Sequence, residues 1–436
     1  MGGAGSVLLA EAGKGGFQPP FRTLRGGRRL RAGREGKRGT LFPRPPGGGG
    51  DRRAVILLRT VLAPPTRAVG GGERLGWGKP RAGEFAKDWA MSYRVGKAAL
   101  NLQWTERVAR TEYNDSWEIV RHYTGKDPRE HPEAEREFND AVHLDFLWRT
   151  NDGPVPWEGR GRATDMGHAT YLEDGSDRRD AAASPFASVD DVLAFNAVEE
   201  YGLPDFDELV AYYEDWYQRE QAANDQVVPG GYYRTLISGA IAAFGWEMLL
   251  LAAGEDPERF GEEVLGSFLE LSLHHVRAWA ETSIEFFMCH DDMVWTQGPF
   301  IRPDFYRSYV FPRYRELWRP LKEAGKRVLY TSDGTFDMFL DELMEAGAEG
   351  FCFEPTNDLD KLVKKCGKTH ALIGGMDCRT LTFGAKDDIE RELRRTLEVT
   401  RECPGFMLAI GNHLPANIPL ENAVHYFELV EELGRR

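Results

Sequence analysis

Between Glu285 and Leu433 short apolar runs alternate with amphipathic stretches, and this alternation limits the fold more than any other feature of the chain. Glu285–Met288, Arg327–Tyr330, Gly350–Phe353, His370–Ile373 and Phe406–Ile410 read as short buried strands. Helical spacing follows each of them, over Pro303–Lys322, Thr335–Ala346, Leu359–Lys365, Asp387–Arg401 and Pro419–Leu433, with Gly325 and Gly347 as stops. Another helix begins at Asp256-Pro257, an N-cap followed by proline, and carries Phe260, Val264, Phe268, Leu271 and Trp279 on one side. Strict strand–helix alternation implies parallel strands covered by helices. It fits a closed barrel and a doubly wound open sheet equally. No GxGxxG or GxxxxGK[ST] follows any of these strands, which removes the usual dinucleotide and phosphate reasons for an open sheet. The stretch 91–255 must supply the remaining strands, with candidates at Val142–Trp148 and Gln226–Pro229. No linker interrupts 91–436, so one domain is expected there.

Residues 1–90 are a different kind of sequence. Arg25-Gly-Gly-Arg-Arg29 and Pro45-Pro-Gly-Gly-Gly-Gly50 combine glycine, proline and arginine without periodicity, and such a segment buries too little apolar surface to offset chain entropy. Disorder is expected. The patch Ala54–Leu58 is too short for an anchor and lies too far along the chain for a signal peptide. Three readings compete for this segment: a basic targeting arm, a binder of an acidic partner, and, preferred because Met91 is the first methionine after Met1 and opens a stretch of ordinary composition, a stretch that is not part of the native protein. Residues 1–90 hold 18 Lys and Arg against 6 Asp and Glu, whereas the whole chain has a net charge of −14, so the folded part is strongly acidic.

That acidity offers no footprint for nucleic acid, and a small molecule or a protein is the expected partner. The most apolar stretch, Ile237 to Ala253, is interrupted by Glu247 and glycines and is not expected to span a membrane. The five cysteines are odd in number and form no CxxC, which fits reduced thiols in a cytoplasmic protein.

In parallel α/β folds chemistry gathers where strands end, because loops converge there and helix N-termini point inward. The five strands run into Cys289-His290-Asp291-Asp292, Ser332-Asp333-Gly334, Glu354-Pro355, Gly375-Met376-Asp377 and Gly411-Asn412-His413. Asp333 and Asp377 each also read as helix caps, Asp291 as a solvated loop residue, and His413 as a structural histidine. Recurrence over five strands points instead to an acidic funnel for a metal, a cationic group or proton transfer. Met293 and Trp295 read more readily as packing than as substrate contacts, and the adjacent pair His274-His275 diverges on its helix and makes no metal clip.

The order of these motifs resembles the uroporphyrinogen decarboxylase superfamily. The residues that carry the resemblance are Asp291-Asp292-Met-Val-Trp-Thr-Gln-Gly298, Phe311-Pro312 leading to Lys322-Glu-Ala-Gly325, Tyr330-Thr-Ser-Asp-Gly334, Gly374-Gly-Met-Asp377, Gly411-Asn-His413 and Pro419-Leu-Glu-Asn422. They cover the chain from Gly231 onward, with only Arg107-Val108 and Asp145-Phe146 upstream. The resemblance implies an α/β fold, a (β/α)8 TIM barrel over 91–436, with catalytic roles for Asp292, Asp333 and His413. It implies a substrate lined by His290, Asp291, Trp295, Ser332, Glu354, Asp377, Asn412 and Asp145, and a homodimer. Two departures narrow the activity. No Arg-Gln-Ala-Gly-Arg segment follows Met91 to grip the carboxylates of a porphyrinogen. Where zinc methyltransferases of the superfamily carry His-x-Cys-Gly and a later Cys, this chain has Thr331-Ser332-Asp333-Gly334 and Asn412 or His413. A sulfur-ligated zinc is therefore not expected, and any divalent metal such as zinc would rest on Asp333, Glu354 and His413. The expected activity is methyl transfer between a small O- or N-methyl compound and a corrinoid protein, the corrinoid arriving on that partner. The alternatives are a decarboxylase of uroporphyrinogen or a smaller acid, with Asp145 or Asp152 stabilising the pyrrole, and a non-catalytic ligand-binding barrel.

Overall fold

The computed structural model describes residues 85–166, 170–171, 177–178 and 183–436. The disorder expected for residues 1–90 falls outside these up to residue 84. From there on the boundary at Met91 is crossed by a helix, α1, Phe85–Leu100, which starts once the glycine-rich stretch ends at Gly83.

Seven strands pair in parallel: β1 (Ala109–Arg110), β2 (Gly230–Tyr232), β3 (Phe286–His290), β4 (Arg327–Thr331), β5 (Gly350–Cys352), β6 (Ala371–Asp377) and β7 (Phe406–Gly411). Their order is β1-β7-β6-β5-β4-β3-β2. The gap between β2 and β1 is closed by residues 145–147. Asp145 N–H donates to Arg110 O at 2.8 Å on one side, and Leu147 N–H donates to Val227 O at 3.0 Å on the other. Phe146 and Val227 form a parallel bridge there. The eightfold closure selects the barrel over the open sheet, and both upstream strand candidates take part in it. The two-residue β1 is too short to leave a periodic signal, and sequence reading missed it.

Alternation puts Phe286, Met288, Leu329, Cys352, Ile373, Met407 and Ala409 into one interior cluster. Val95, Ala99 and Leu100 of α1 join it. Lys97 Nζ meets Glu285 at 2.6 Å and Arg327 Nε donates to Asn101 at 3.1 Å, so α1 stoppers the end of the barrel where strands begin. The opposite end stays open. A larger cluster fills the layer between strands and outer helices. One helix, α2 (Ile237–Glu255), is long and apolar enough to cross a membrane by length and composition alone, with mean hydropathy 1.5; it is 61% buried in the barrel wall.

Candidate active site

The open end is built from the residues that follow β2 to β7. At the end of β3 neighbouring aspartates part company, because successive side chains leave an extended chain on opposite sides. Asp291 is fully buried toward the helical layer. Its carboxylate accepts Ile237 N–H at 3.2 Å and Ser238 N–H at 2.5 Å, the orphan donors of the first turn of α2, and Tyr314 OH at 2.6 Å. It fixes a helix, and the substrate contact expected of it is ruled out by burial. Asp292 faces the mouth, its own N–H held by Ser238 Oγ at 2.7 Å.

Both oxygens of Asp292 are engaged. Oδ1 lies 3.0 Å from His290 Nε2 and accepts Asp333 N–H at 3.1 Å, while Oδ2 accepts Tyr233 OH at 2.9 Å. Burial alone would raise its pKa, but the facing imidazolium and these donors hold it below the usual carboxylate range. Burial pulls His290 the other way, and the Asp292 charge outweighs it, so the imidazole stays protonated above its ordinary value. The two form an ion pair. Asp333 differs. Its side chain opens to solvent in the mouth. Protein packed around it and then the charges of Asp292 and Glu354 raise it well above the ordinary carboxylate value. Glu354 is raised as well, by burial first, although it accepts Gly334 N–H at 2.7 Å and Asn412 Nδ2–H at 2.8 Å. The site therefore offers a fixed ion pair beside a carboxyl that holds its proton more tightly than an ordinary carboxylic acid.

The remaining expected residues fall elsewhere. Asp145 is fully buried between the paired Nη atoms of Arg107, both at 2.6 Å, and Arg110 N–H at 2.9 Å, which leaves it no access to substrate. Ser332 donates to Asp333 O at 2.9 Å and is 2% exposed. Asp377 caps the next helix through Arg379 N–H at 2.8 Å and pairs with the Arg379 guanidinium. Asn412 sits in the left-handed region at φ 74° and turns its amide onto Glu354. His413 meets Asn412 Oδ1 through Nδ1 and lies 3.7 Å from Asp115 through Nε2, and burial lowers its pKa to about 4. A metal trio of Asp333, Glu354 and His413 is thus not assembled. Among the described residues, the imidazole and carboxylates whose donor atoms lie within 4.8 Å of one another are His290, Asp292 and Asp333. Sequence reading missed Tyr233, although Gly230-Gly231-Tyr232-Tyr233 closes a strand as the other motifs do. It also missed Asn357, whose amide bonds Gly334 O at 2.8 Å and Glu354 O at 3.1 Å.

Residues 238–433 match the uroporphyrinogen decarboxylase (URO-D) family. This stretch contains α2 and every strand from β3 to β7, hence all of the acid cluster except Tyr233. A uroporphyrinogen decarboxylase of Carboxydothermus hydrogenoformans is 26% identical over 180 residues, 41% of this chain and 49% of the relative. One of Geotalea uraniireducens is 30% identical over 141 residues, 32% of this chain and 41% of the relative. The chain therefore spans about half the length of the curated relatives it matches. The fold extends further: a methyltransferase from Methanosarcina mazei superposes over 78% of this chain and 98% of its own, with a TM-score of 0.56 at 17% identity. That likeness shows a shared barrel fold, while the sequence similarity over 238–433 is to the uroporphyrinogen decarboxylase family.

Proposed function

We propose that the protein moves a methyl group between a small O- or N-methyl compound and a corrinoid held by a separate protein. The observation that carries this reading is Asp333, a carboxyl that opens to the mouth beside the His290–Asp292 pair and whose pKa is raised well above the ordinary value by the protein packed around it and then by Asp292 and Glu354. When a carbon–oxygen or carbon–nitrogen bond to methyl breaks, the departing heteroatom must gain a proton. Asp333 donates it, and the His290–Asp292 pair keeps the second carboxylate ionised so that Asp333 remains the acid. The corrinoid supplies the methyl-accepting centre. Exposed Tyr113, Met338 and Phe383 lie on the segments that follow β1, β4 and β6, the side of the barrel that the protein carrying it would meet. His290, Asp292 and Asp333 also fit a divalent ion such as zinc, whose Lewis acidity would polarise the donor heteroatom. The cytoplasmic setting and the homodimer belong to the same reading.

Decarboxylation of uroporphyrinogen is favoured by the names of the curated relatives. The mouth speaks against it. Arg234 is engaged by Glu158 at 2.7 Å and Arg379 by Asp377 at 2.6 Å, while the carboxylates of a porphyrinogen would face Asp292, Asp333 and Glu354. The test mixes the enzyme, a reduced corrinoid protein and a panel of methyl ethers and methylamines, and follows the cobalt absorption spectrum. Donor-dependent methylation is expected. Silence across the panel, with coproporphyrinogen released from uroporphyrinogen, would replace this reading by the second.

A further inference from the structure

The helix that fixes Asp291 and Asp292 is broken in its middle. After Phe244, Gly245 of α2 leaves the helical region at φ 73° and ψ 164°, and a second helical stretch resumes at Trp246. A positive φ of this kind is routine for glycine alone. An added Cβ there would meet nothing closer than Thr164 Cγ2 at 3.7 Å, so the glycine serves the backbone and not the packing. The half before the break is anchored at the site, where Ile237 and Ser238 N–H donate to Asp291 and Ser238 Oγ accepts Asp292 N–H. The half after it opens on Trp246, whose ring lies 5.8 Å from Trp295 and 5.1 Å from Phe300. Trp295 belongs to a hairpin (Val294–Trp295 with Gly298–Pro299) that rests on the loop carrying Asp333. There Thr335 N–H donates to Trp295 O at 2.9 Å and Thr335 Oγ1 donates to Thr296 O at 2.6 Å. A Cβ on Gly334 would come within 2.5 Å of the Trp295 backbone, so glycine permits this close approach.

A short strap bridges the break. Thr164 N–H donates to Ala242 O at 2.6 Å, and the Thr164 hydroxyl lies 3.1 Å from both Ile241 O and Ala242 O, the carbonyls of the turn before Gly245. A helix that ends leaves such carbonyls short of donors, and the strap supplies them. On the far side Trp246 Nε1–H donates to Met166 O at 3.2 Å. Met166 reaches this position in the left-handed region, at φ 60°, with its own N–H on Thr164 Oγ1 at 3.2 Å. Thr164 and Met166 are both buried. One end of the strap thus grips the anchored half of α2, and the other grips the half that braces the hairpin.

We propose that Gly245 is a hinge and Thr164–Met166 its clasp, and that together they set whether the Trp295 hairpin lies on the Asp333 loop or lifts from it, which governs access to the mouth. Motion in a helix concentrates where its hydrogen-bond ladder is interrupted, and a few backbone positions then absorb the change. The clasp consists of one threonine and one indole bond, so it opens at lower cost than the packed helices of the wall. Opening is transmitted by pieces in direct contact: strap, Trp246, hairpin and the loop of Asp333. Such a cover serves the mouth whichever reaction is performed there.

Hydrogen exchange of the full-length protein tests this, read by mass spectrometry on peptides spanning 241–246, 293–301 and 332–336. Thr164→Val keeps the shape of the side chain and removes its hydroxyl. Exchange should quicken about tenfold in all three peptides, Thr335 N–H included, while β6 and β7 stay within about twofold of the parent. Carbethoxylation of His290 by diethyl pyrocarbonate, mapped in the same way, should quicken about threefold or more as the mouth opens. Gly245→Ala strains the hinge itself and should quicken the same peptides, with melting curves showing that both variants fold. If 293–301 and 332–336 exchange as in the parent, or His290 is no more reactive, the strap braces α2 alone and the proposal falls. An equal rise in β6 and β7 would overturn it as well, because the loss would then be global.

Discussion

Two sets of carboxylates in this barrel have opposite fates. Glu112, Asp145 and Asp291 lie among the strands and the helical layer, each with its oxygens taken up by donors: Arg107 and Arg110 for Asp145, the start of α2 and Tyr314 for Asp291, Ile410 N–H and Tyr426 OH for Glu112. At the mouth Asp292, Asp333 and Glu354 face one imidazole and one another. Hydrogen-bond donors reach Asp292 and Glu354 as well. What separates the sets is access, since the first is shut into the wall and the second gathers around Asp333, which opens into the mouth. The walled-in carboxylates hold the fold, and the gathered ones are available for chemistry.

The largest expected effect divides the sets by function. Asp333→Asn removes the acid and should lower methyl transfer by about 10²- to 10⁴-fold, while the melting temperature stays near that of the parent because an amide of the same size replaces the carboxyl. Turnover within a few-fold of the parent would remove Asp333 from the reaction. The complementary change is Asp145→Ala. It strands Arg107 and Arg110 N–H in the barrel wall and should cost about 3–5 kcal/mol in urea unfolding. A loss below about 1 kcal/mol would show that the pair is not what holds residues 145–147 between β1 and β2.

The same contrast explains what could be read from sequence. The strands from β3 onward were legible because each is a short apolar run bounded by glycine or proline, and the residues beyond them recur as acids or imidazoles. Asp292, Asp333 and Glu354 follow from that pattern. The first part of the barrel was less legible: Val142–Trp148 and Gln226–Pro229 could be read as strand candidates, but β1 has two residues and the next segment contributes a single bridge, and their pairing is set by Asp145 and Arg107, 38 positions apart. Nor does sequence tell Asp291 from Asp292. Which of two adjacent carboxylates meets solvent depends on where α2 begins, 54 residues upstream at Ile237.

Glu112 sharpens the comparison through pH. Burial raises its pKa from 4.5 to about 8, against the pull of Ile410 N–H, Tyr426 OH and Arg110. The folded state therefore takes up a proton that the unfolded chain releases above its ordinary value. This contribution to stability is complete below about pH 4.5 and is lost as pH rises through about 8, with a slope of at most about 1.4 kcal/mol per pH unit. Glu112→Gln keeps one acceptor for Ile410 N–H and removes the titration. Urea midpoints measured from pH 5 to 9 should fall less steeply for the variant. Parallel curves would mean that Glu112 is ionised throughout.

His413 should give the smallest effect. It stands at the rim beside the acid cluster, yet its ring contacts Asn412 and Asp115, and burial depresses its pKa to about 4. The ring is thus neutral across the working range and neither gains nor loses a proton there. Its influence on the cluster passes through Asn412, whose left-handed backbone and amide bond to Glu354 it steadies. His413→Gln retains a polar group of similar reach and should lower kcat by about threefold or less, with the pH profile unmoved above pH 6. His413→Ala frees Asn412 and should cost somewhat more, again without moving the profile. A displaced ionisation in either variant would place His413 among the groups that carry the proton, and the cluster gathered around Asp333 would then extend to it.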